Sequence, residues 1–484
     1  MHVSFTLSTA PMLLLALYLW FRAKGQLLPV AMFMSVFQAA SVLDLGAGSL
    51  LIGVQPTYIV LLLALLARSI ERQPGKPRHW IPDATTTLLL GAFVAYATLS
   101  AFVFPLLFKG VLVSNPKLGF GVPLKWELGH LNQLFYLLLS FGIYLIAAYW
   151  TPPAELTRSI NWFVGGVVFA ALIGLYQFIA KKTGLPFPSE ILHTSPTYSI
   201  FEGYEIDGFP RMNSTFTEAA AAAFSMTIAL AIVLWRFLLR ADSLRNIAQL
   251  SIIGLGLLLT ISTTGYVCLI FLVLVAASRY FAPWQGSMDA RNARLLLAVP
   301  LVLLLFAVLG VSAVRDSFVR LAHTVLLDKT TTNSYQERTV WNRDALKAAA
   351  DTYWLGAGWG VCRASSFIPT VLGNVGLPGS MLLCAFCLRL LWPVTRLSRI
   401  KVQVHGAVLL GLVAVLLDLS VSAPELAHPI IWLLFAVAAK FAASEKADGR
   451  QRATIRGRWL APKHSLPLVH TRGSAGDYGS QYCR

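Results

Sequence analysis

The stretch Arg211-Met-Asn-Ser-Thr-Phe-Thr-Glu218 runs straight into Ala219-Ala-Ala-Ala-Ala223 and stays apolar to Trp235. A guanidinium and a carboxylate stand at the mouth of a segment long enough to cross a bilayer, where a charge is costly unless it has work to do. Segments like this recur along all 484 residues, of which 56% are hydrophobic and 13% charged, with a mean hydropathy of +0.66. A water-soluble chain of this length keeps a large wet exterior and has no use for so much apolar surface. The reading is an all-α polytopic integral membrane protein, because backbone polar groups inside lipid must be paired within the segment. The first apolar run follows a short N-terminus without Lys or Arg and lacks the n-region of a cleavable signal.

Spans are expected at 6–22, 28–46, 48–67, 84–108, 130–150, 159–180, 216–236, 248–263, 266–282, 295–313, 366–393, 403–422 and 429–444. That gives about 12–13 transmembrane helices. The lower number holds if an early segment is re-entrant, since Gly46, Gly48 and Gly53 interrupt the run there. Residues 1–444 form the helical domain. Residues 445–484 form a basic tail rich in Gly, Ser and Arg, without helical period, expected to be disordered and cytoplasmic.

The net charge is +17, and its distribution excludes nucleic acid as the reason. Arg68, Arg72, Lys76 and Arg78 cluster in one short loop, Arg236, Arg240 and Arg245 in another. Arg279, Arg291 and Arg294 make a third group, Arg389, Arg396, Arg399 and Lys401 a fourth. The two longest loops, about 181–217 and 314–362, carry both signs. This is the positive-inside pattern, and it places the long loops outside and the C-terminus in the cytosol, with anionic membrane lipids as partners of the basic loops.

Chemistry is therefore expected in the outer loops. Ser334-Tyr-Gln-Glu337 reads as a capping box opening a helix that continues to about Asp351, followed by Gly356, Gly358 and Gly360. On that helix Arg338, Trp341 and Asn342 share a face, with Tyr335 one turn before, while Arg343 points elsewhere. An amphipathic helix at the membrane surface would show the same pattern. Glu218 can either cap a helix, since Thr215-Phe-Thr-Glu218 is also a capping-box pattern, or take a proton while the helix dipole favours its ionised form. His428, in the turn between the last two spans, can shuttle protons or be a plain loop residue. Arginine suits phosphate oxygens through planar, bidentate bonds, so Arg211 and Arg338 reaching one point would hold a pyrophosphate without a metal. Glu205-Ile-Asp207 has the form of a metal-binding acidic pair but reads better as a solvated turn. Cys384-Ala-Phe-Cys387 reads as core residues, since no second ligand pair is near.

Four of these features together resemble the O-antigen polymerase and ligase superfamily of envelope polysaccharide synthesis. Arg211 to Glu218 is similar to that family's Arg-x-x-small-x-Phe-x-Glu stretch. Leu259 to Gly265 is similar to its Leu-Thr-x-Ser-Arg-Gly hairpin. Ser334, Arg338 and Trp341, with Gly356, Gly358 and Gly360, are similar to its large outer loop. Gly373-Asn-Val-Gly376-Leu-Pro-Gly379 is similar to the Gly-Leu-x-Gly start of the next span. The likeness covers about 210–390. It departs at the hairpin arginine, replaced by Thr263 and Thr264, and at the histidine of the ligase branch, where Ser365 and Ser366 stand. These departures favour the Wzy-type polymerase over the ligase.

The resemblance implies a GT-C-like, metal-independent glycosyltransferase of the bacterial inner membrane, with no cofactor. Donor and acceptor would both be glycans on polyprenyl pyrophosphate, and a chain-length regulator and a flippase would be further partners. Arg211, Arg338 and Arg343 would bind pyrophosphate, Tyr335, Trp341 and Asn342 the substrate. Glu218 or His428 would act on the proton. A ligase or a transporter of a lipid-linked glycan or anion remain the alternatives.

Overall fold

The computed structural model describes residues 2–6, 9–47, 50–70, 82, 84–115, 119–127, 129–196, 200, 205–206, 209–239, 244–281, 333–392, 403–421 and 426–442. The expected span at 295–313, Asp207 and the tail lie outside them. Six helices are long and apolar enough to cross a membrane. They are α4 (Ala84–Leu107), α5 (His130–Trp150, ending in a π turn), α6 (Pro153–Thr183), α8 (Ala219–Leu239), α12 (Phe367–Leu391) and α13 (within Gln403–Val421). Shorter apolar helices join them: α1 (Thr9–Arg22), α3 (Pro56–Ile70), α9 (Leu244–Leu259), α10 (Thr263–Phe281) and α14 (Pro429–Ala442). The chain is a multi-pass membrane protein, mostly helical.

Contacts at the helix termini sort the bundle into two ends. At one, Arg68 at the close of α3 pairs with Glu155 in the first turn of α6. Arg389 donates from Nε to Thr86 Oγ1 at 3.0 Å, and the buried Lys440 donates to the Thr151 carbonyl at 2.6 Å. Arg22 and Arg236 occupy the last turns of α1 and α8. This is the basic end. The long connections and the small β elements gather at the opposite, loop end.

The expected span at 28–46 is not one. Helix α2 covers only Leu27–Met34, and the chain then leaves the helix through turns at 35–36 and 38–39 into an antiparallel sheet of β1 (His2–Phe5), β2 (Leu43–Ala47) and β3 (Leu50–Val54). Non-helical backbone buried in protein must find partners elsewhere. Thr215 Oγ1 donates to the Val36 carbonyl at 2.7 Å, and Ala39 N–H donates to the Thr215 carbonyl at 3.1 Å. Ser195 N–H donates to the Ala39 carbonyl at 2.9 Å, and Thr6 Oγ1 to that of Ser41 at 2.7 Å. A second hairpin, β4 (Leu112–Asn115) and β5 (Gly119–Pro123), caps the α4–α5 connection, and a third, β6 (Glu205–Ile206) with β7 (Phe209–Pro210), precedes Arg211.

Helix α8 is the centre of the bundle, with 89% of its most apolar window buried. Its alanines serve close helix packing: a Cβ on Gly265 of α10 would stand 3.1 Å from that of Ala223. At its other end Trp235 lies on Gly406 of α13, where a Cβ would fall 2.1 Å from the indole.

Helix α12 is broken at Gly376, whose φ of 58° and ψ of −160° are not helical. The chain between α11 (Asn333–Asp351) and α12 fills the break. Leu377 N–H donates to the Trp354 carbonyl at 2.8 Å, Ala357 N–H to Gly373 at 2.8 Å, and Gly358 N–H to Asn374 at 2.9 Å. Only glycine fits here, because a Cβ on Gly376 would lie 2.0 Å from the Trp354 oxygen.

Candidate functional site

The segment from Arg211 to Glu218 is a buried knot on the loop end. Residues 212–216 are all buried, and most of their polar groups are met from outside the segment. Gln177 of α6 accepts from the N–H groups of Asn213 (3.1 Å) and Ser214 (2.8 Å) and donates to Asn213 Oδ1 at 2.7 Å. Ser214 is left-handed at φ 55°, and its hydroxyl donates to Ala170 O at 2.5 Å. A short helix, α7 (Ser189–Leu192), brings up His193, whose Nε2–H donates to the Ser214 carbonyl at 2.6 Å. That bond puts the ring proton on Nε2. Burial, with Lys181 nearby, holds the His193 pKa below its ordinary value despite the Ser214 hydrogen bond. Gly174 gives Met212 its seat, since a Cβ there would be 2.1 Å from the sulfur. A strained residue persists only where its surroundings over-determine it, and Ser214 meets that condition.

Helix α8 begins at Ala219, so Thr215 is not its cap; the Thr215 hydroxyl goes to Val36 instead. Glu218 stands half-buried immediately before the helix, and its carbonyl accepts the Ala222 N–H at 3.2 Å. The carboxylate is thus at the positive end of α8.

Two stretches singled out in the sequence touch directly. Arg211 donates from Nε to the Thr260 carbonyl at 3.2 Å, and Met212 N–H donates to the Leu259 carbonyl at 3.1 Å. The α9–α10 turn that receives them is itself tight, with Ile261 at φ 48° and Gly265 N–H on Ser262 Oγ at 3.4 Å. Lys181, in the last turn of α6, donates to the Arg211 carbonyl at 3.4 Å, and Tyr266 feels the Arg211 charge. A half-buried guanidinium and an ammonium thus share one rim of the loop end. Nothing in the spacing of 181 and 211 signals that Lys181 and Arg211 meet. Gln177 was missed for the same reason.

The other candidates belong to α11, which packs on α12 and β4. Arg338 and Trp341 are half-buried, Arg343 is exposed, and Tyr335 lies in the first turns. Asn342 is a staple. Its Oδ1 accepts from the N–H groups of Ser365 (2.9 Å) and Ser366 (3.1 Å), and its Nδ2 donates to Ser366 Oγ at 3.0 Å. Asn374 does the same two turns into α12, accepting from Val361 and Cys362 N–H and donating to the Cys362 and Thr370 carbonyls. Asp344 accepts from Ser114 Oγ at 2.5 Å. The α11–α12 unit is thereby fixed to the bundle, with Cys362 sealed inside it and its thiol pushed up to about 12 by burial.

His428 is buried, with ring contacts to Phe163 and Phe224. Its Nδ1 accepts the Ile430 N–H at 3.4 Å, so the proton sits on Nε2, which donates to Ser225 Oγ at 3.2 Å. Both nitrogens have structural duties. Among the described residues no hydrogen bond or ion pair links Glu218 or His428 to Arg338 or Arg343, and no three His, Cys, Asp or Glu side chains gather around a metal position. Arg211 sits with the α6 end and the α9–α10 turn, and Arg338 lies on α11, which packs on α12 and β4. Compared with known proteins, the chain matches no family model and no characterised relative.

Proposed function

We propose that this protein is a membrane polysaccharide polymerase resembling the Wzy type, joining oligosaccharide repeats carried on polyprenyl pyrophosphate. The observation that carries the reading is the contact of Arg211 with the α9–α10 turn. It presents a guanidinium, with Lys181 beside it, at the end of the bundle opposite the Arg68, Arg389 and Lys440 contacts. By the positive-inside rule that end faces the periplasm of a bacterial inner membrane.

Arg211 holds the donor's pyrophosphate, and Arg338 reaches it from α11, with Arg343 and Lys181 adding positive potential. An acceptor hydroxyl attacks the donor's anomeric carbon. The new glycosidic bond forms as the bond to pyrophosphate breaks, and the lipid pyrophosphate leaves with the electron pair and is stabilised by the guanidinium charge. Glu218 takes the hydroxyl proton. It is preferred over His428, whose nitrogens are already engaged. Trp341 offers a face for a sugar ring.

Broken helices such as α12 also occur in transporters at their binding sites. Here the break is filled by the chain's own backbone around Trp354 to Gly358, which favours surface chemistry over passage. In a host that depends on this chain for polymer, Arg211→Ala is expected to leave single lipid-linked repeats accumulating. Long chains persisting in that strain would refute the assignment of Arg211.

A further inference from the structure

A cavity of about 10 Å³ lies between the β4–β5 hairpin, the start of α5 and the chain at Val361, and Arg211 is not among its lining residues. Its walls are Val113, Leu124 and Val361, and its polar lining is Lys125, Glu127 and His130. The volume is that of a single water-sized group. His130 is 6% exposed, yet its Nδ1 has no hydrogen-bond partner among the described residues. A buried ring nitrogen left without a partner is costly, so its retention calls for a reason. The residue is held firmly by its backbone. His130 N–H donates to the Glu127 carbonyl at 3.1 Å, and Gly360 crosses so closely that a Cβ there would lie 2.8 Å from the His130 oxygen. The mouth is polar, with Lys125 Nζ 3.4 Å from Glu127 Oε1 and the lysine side chain largely in solvent.

A hydroxyl is the group that fits. It is the size of the cavity, and it can both donate and accept, so it satisfies Nδ1 in either tautomer. Lys125 and Glu127 at the mouth supply a donor and an acceptor for neighbouring hydroxyls of the same molecule. The wall at Val361 belongs to the chain stapled by Asn374 to α12, which packs against α11, so the cavity lies on the substructure that carries Arg338.

We infer that His130, with Lys125 and Glu127, forms a carbohydrate subsite that seats one hydroxyl of a bound glycan. The inference rests on the polymerase reading for the identity of the glycan. It makes His130 a binding residue and gives it no part in proton transfer.

The test uses the full chain in lipid nanodiscs, as wild type, His130→Leu and His130→Asn, each checked for its melting temperature. Two quantities are read: KM for lipid-linked repeats, and Kd for sugar-free undecaprenyl pyrophosphate. Loss of one hydrogen bond is about a tenfold effect. His130→Leu is expected to raise KM about tenfold with the pyrophosphate Kd unchanged. His130→Asn, whose amide oxygen comes close to the place of Nδ1, is expected to stay near wild type. Equal KM values in all three proteins would overturn the subsite, as would equal losses accompanied by a lowered melting temperature. Wild-type protein that neither lengthens the glycan nor binds undecaprenyl pyrophosphate would instead remove the polymerase reading.

Discussion

Arg211 donates from Nε to the backbone carbonyl of Thr260 at 3.2 Å, across 49 residues of chain. The bond fixes the plane of the guanidinium against the α9–α10 turn. Lysine has no counterpart to Nε and no planar fork. Arg211→Lys should therefore cut glycan chain growth at least about tenfold although the charge is kept, and Arg211→Ala should abolish it. Gel profiles of lipid-linked glycan from the two strains check this; full-length polymer in Arg211→Lys would show that charge alone suffices.

Gly376 should tolerate no side chain. Gly376→Ala places a methyl 2.0 Å from the Trp354 oxygen at a φ of 58°, so the loop filling the break in α12 must leave. The expected cost exceeds about 3 kcal/mol. Thermal melting of detergent-purified protein measures it, and an unchanged melting temperature would contradict the filled break.

Asn374→Asp tests the staple beside it. A carboxylate still accepts from Val361 and Cys362 N–H but cannot donate to the Cys362 and Thr370 carbonyls. Two buried carbonyls would then face a charge, at a cost of about 3 kcal/mol or more. Asn374→Ala should be similarly destabilised, both read from the same melting curves.

His193 predicts a pH dependence of stability. Its pKa in the fold is depressed below 6.5, so the fold favours the neutral ring. The unfolded chain takes up a proton as pH falls through 6.5 while the folded chain does not. The contribution is thus present above pH 6.5 and lost as pH falls below it toward the depressed value. The groups around the ring include the Lys181 ammonium, the Ser214 carbonyl and the Phe187 ring. Melting temperatures across that window should fall on acidification, and His193→Gln should flatten the curve.

His428→Gln should keep chain growth within about tenfold of wild type, because the glutamine amide can still donate to Ser225. Loss of growth with unchanged melting temperature would restore His428 as a proton carrier.

Much of this architecture was legible in the sequence. Apolar runs near 20 residues announced α4, α5, α6, α8, α12 and α13, and the helix after Ser334 ends at Asp351 as the glycines require. The half-helix α2 was not legible. Val36, Ala39, Ala40 and Val42 are as apolar as a spanning helix, and the hydroxyl that satisfies Val36 comes from Thr215, 179 residues away. Hydropathy reports burial and is silent on where backbone partners come from. The same limit governs the site. Asn342 looked like a substrate contact because it shares a face with Arg338, but its amide is occupied by Ser365 and Ser366, which the helical period cannot foretell. The meeting of Lys181 with Arg211 and the setting of His130 are not legible in the sequence, because both are assembled from distant segments.

The most direct test gives purified protein in nanodiscs a supply of polyprenyl-pyrophosphate-linked repeats and follows both products. The account predicts longer glycans together with a matching release of polyprenyl pyrophosphate, and neither product with Arg211→Ala. Repeats that stay single in the presence of folded wild-type protein, or that lengthen equally well with Arg211→Ala, would contradict it.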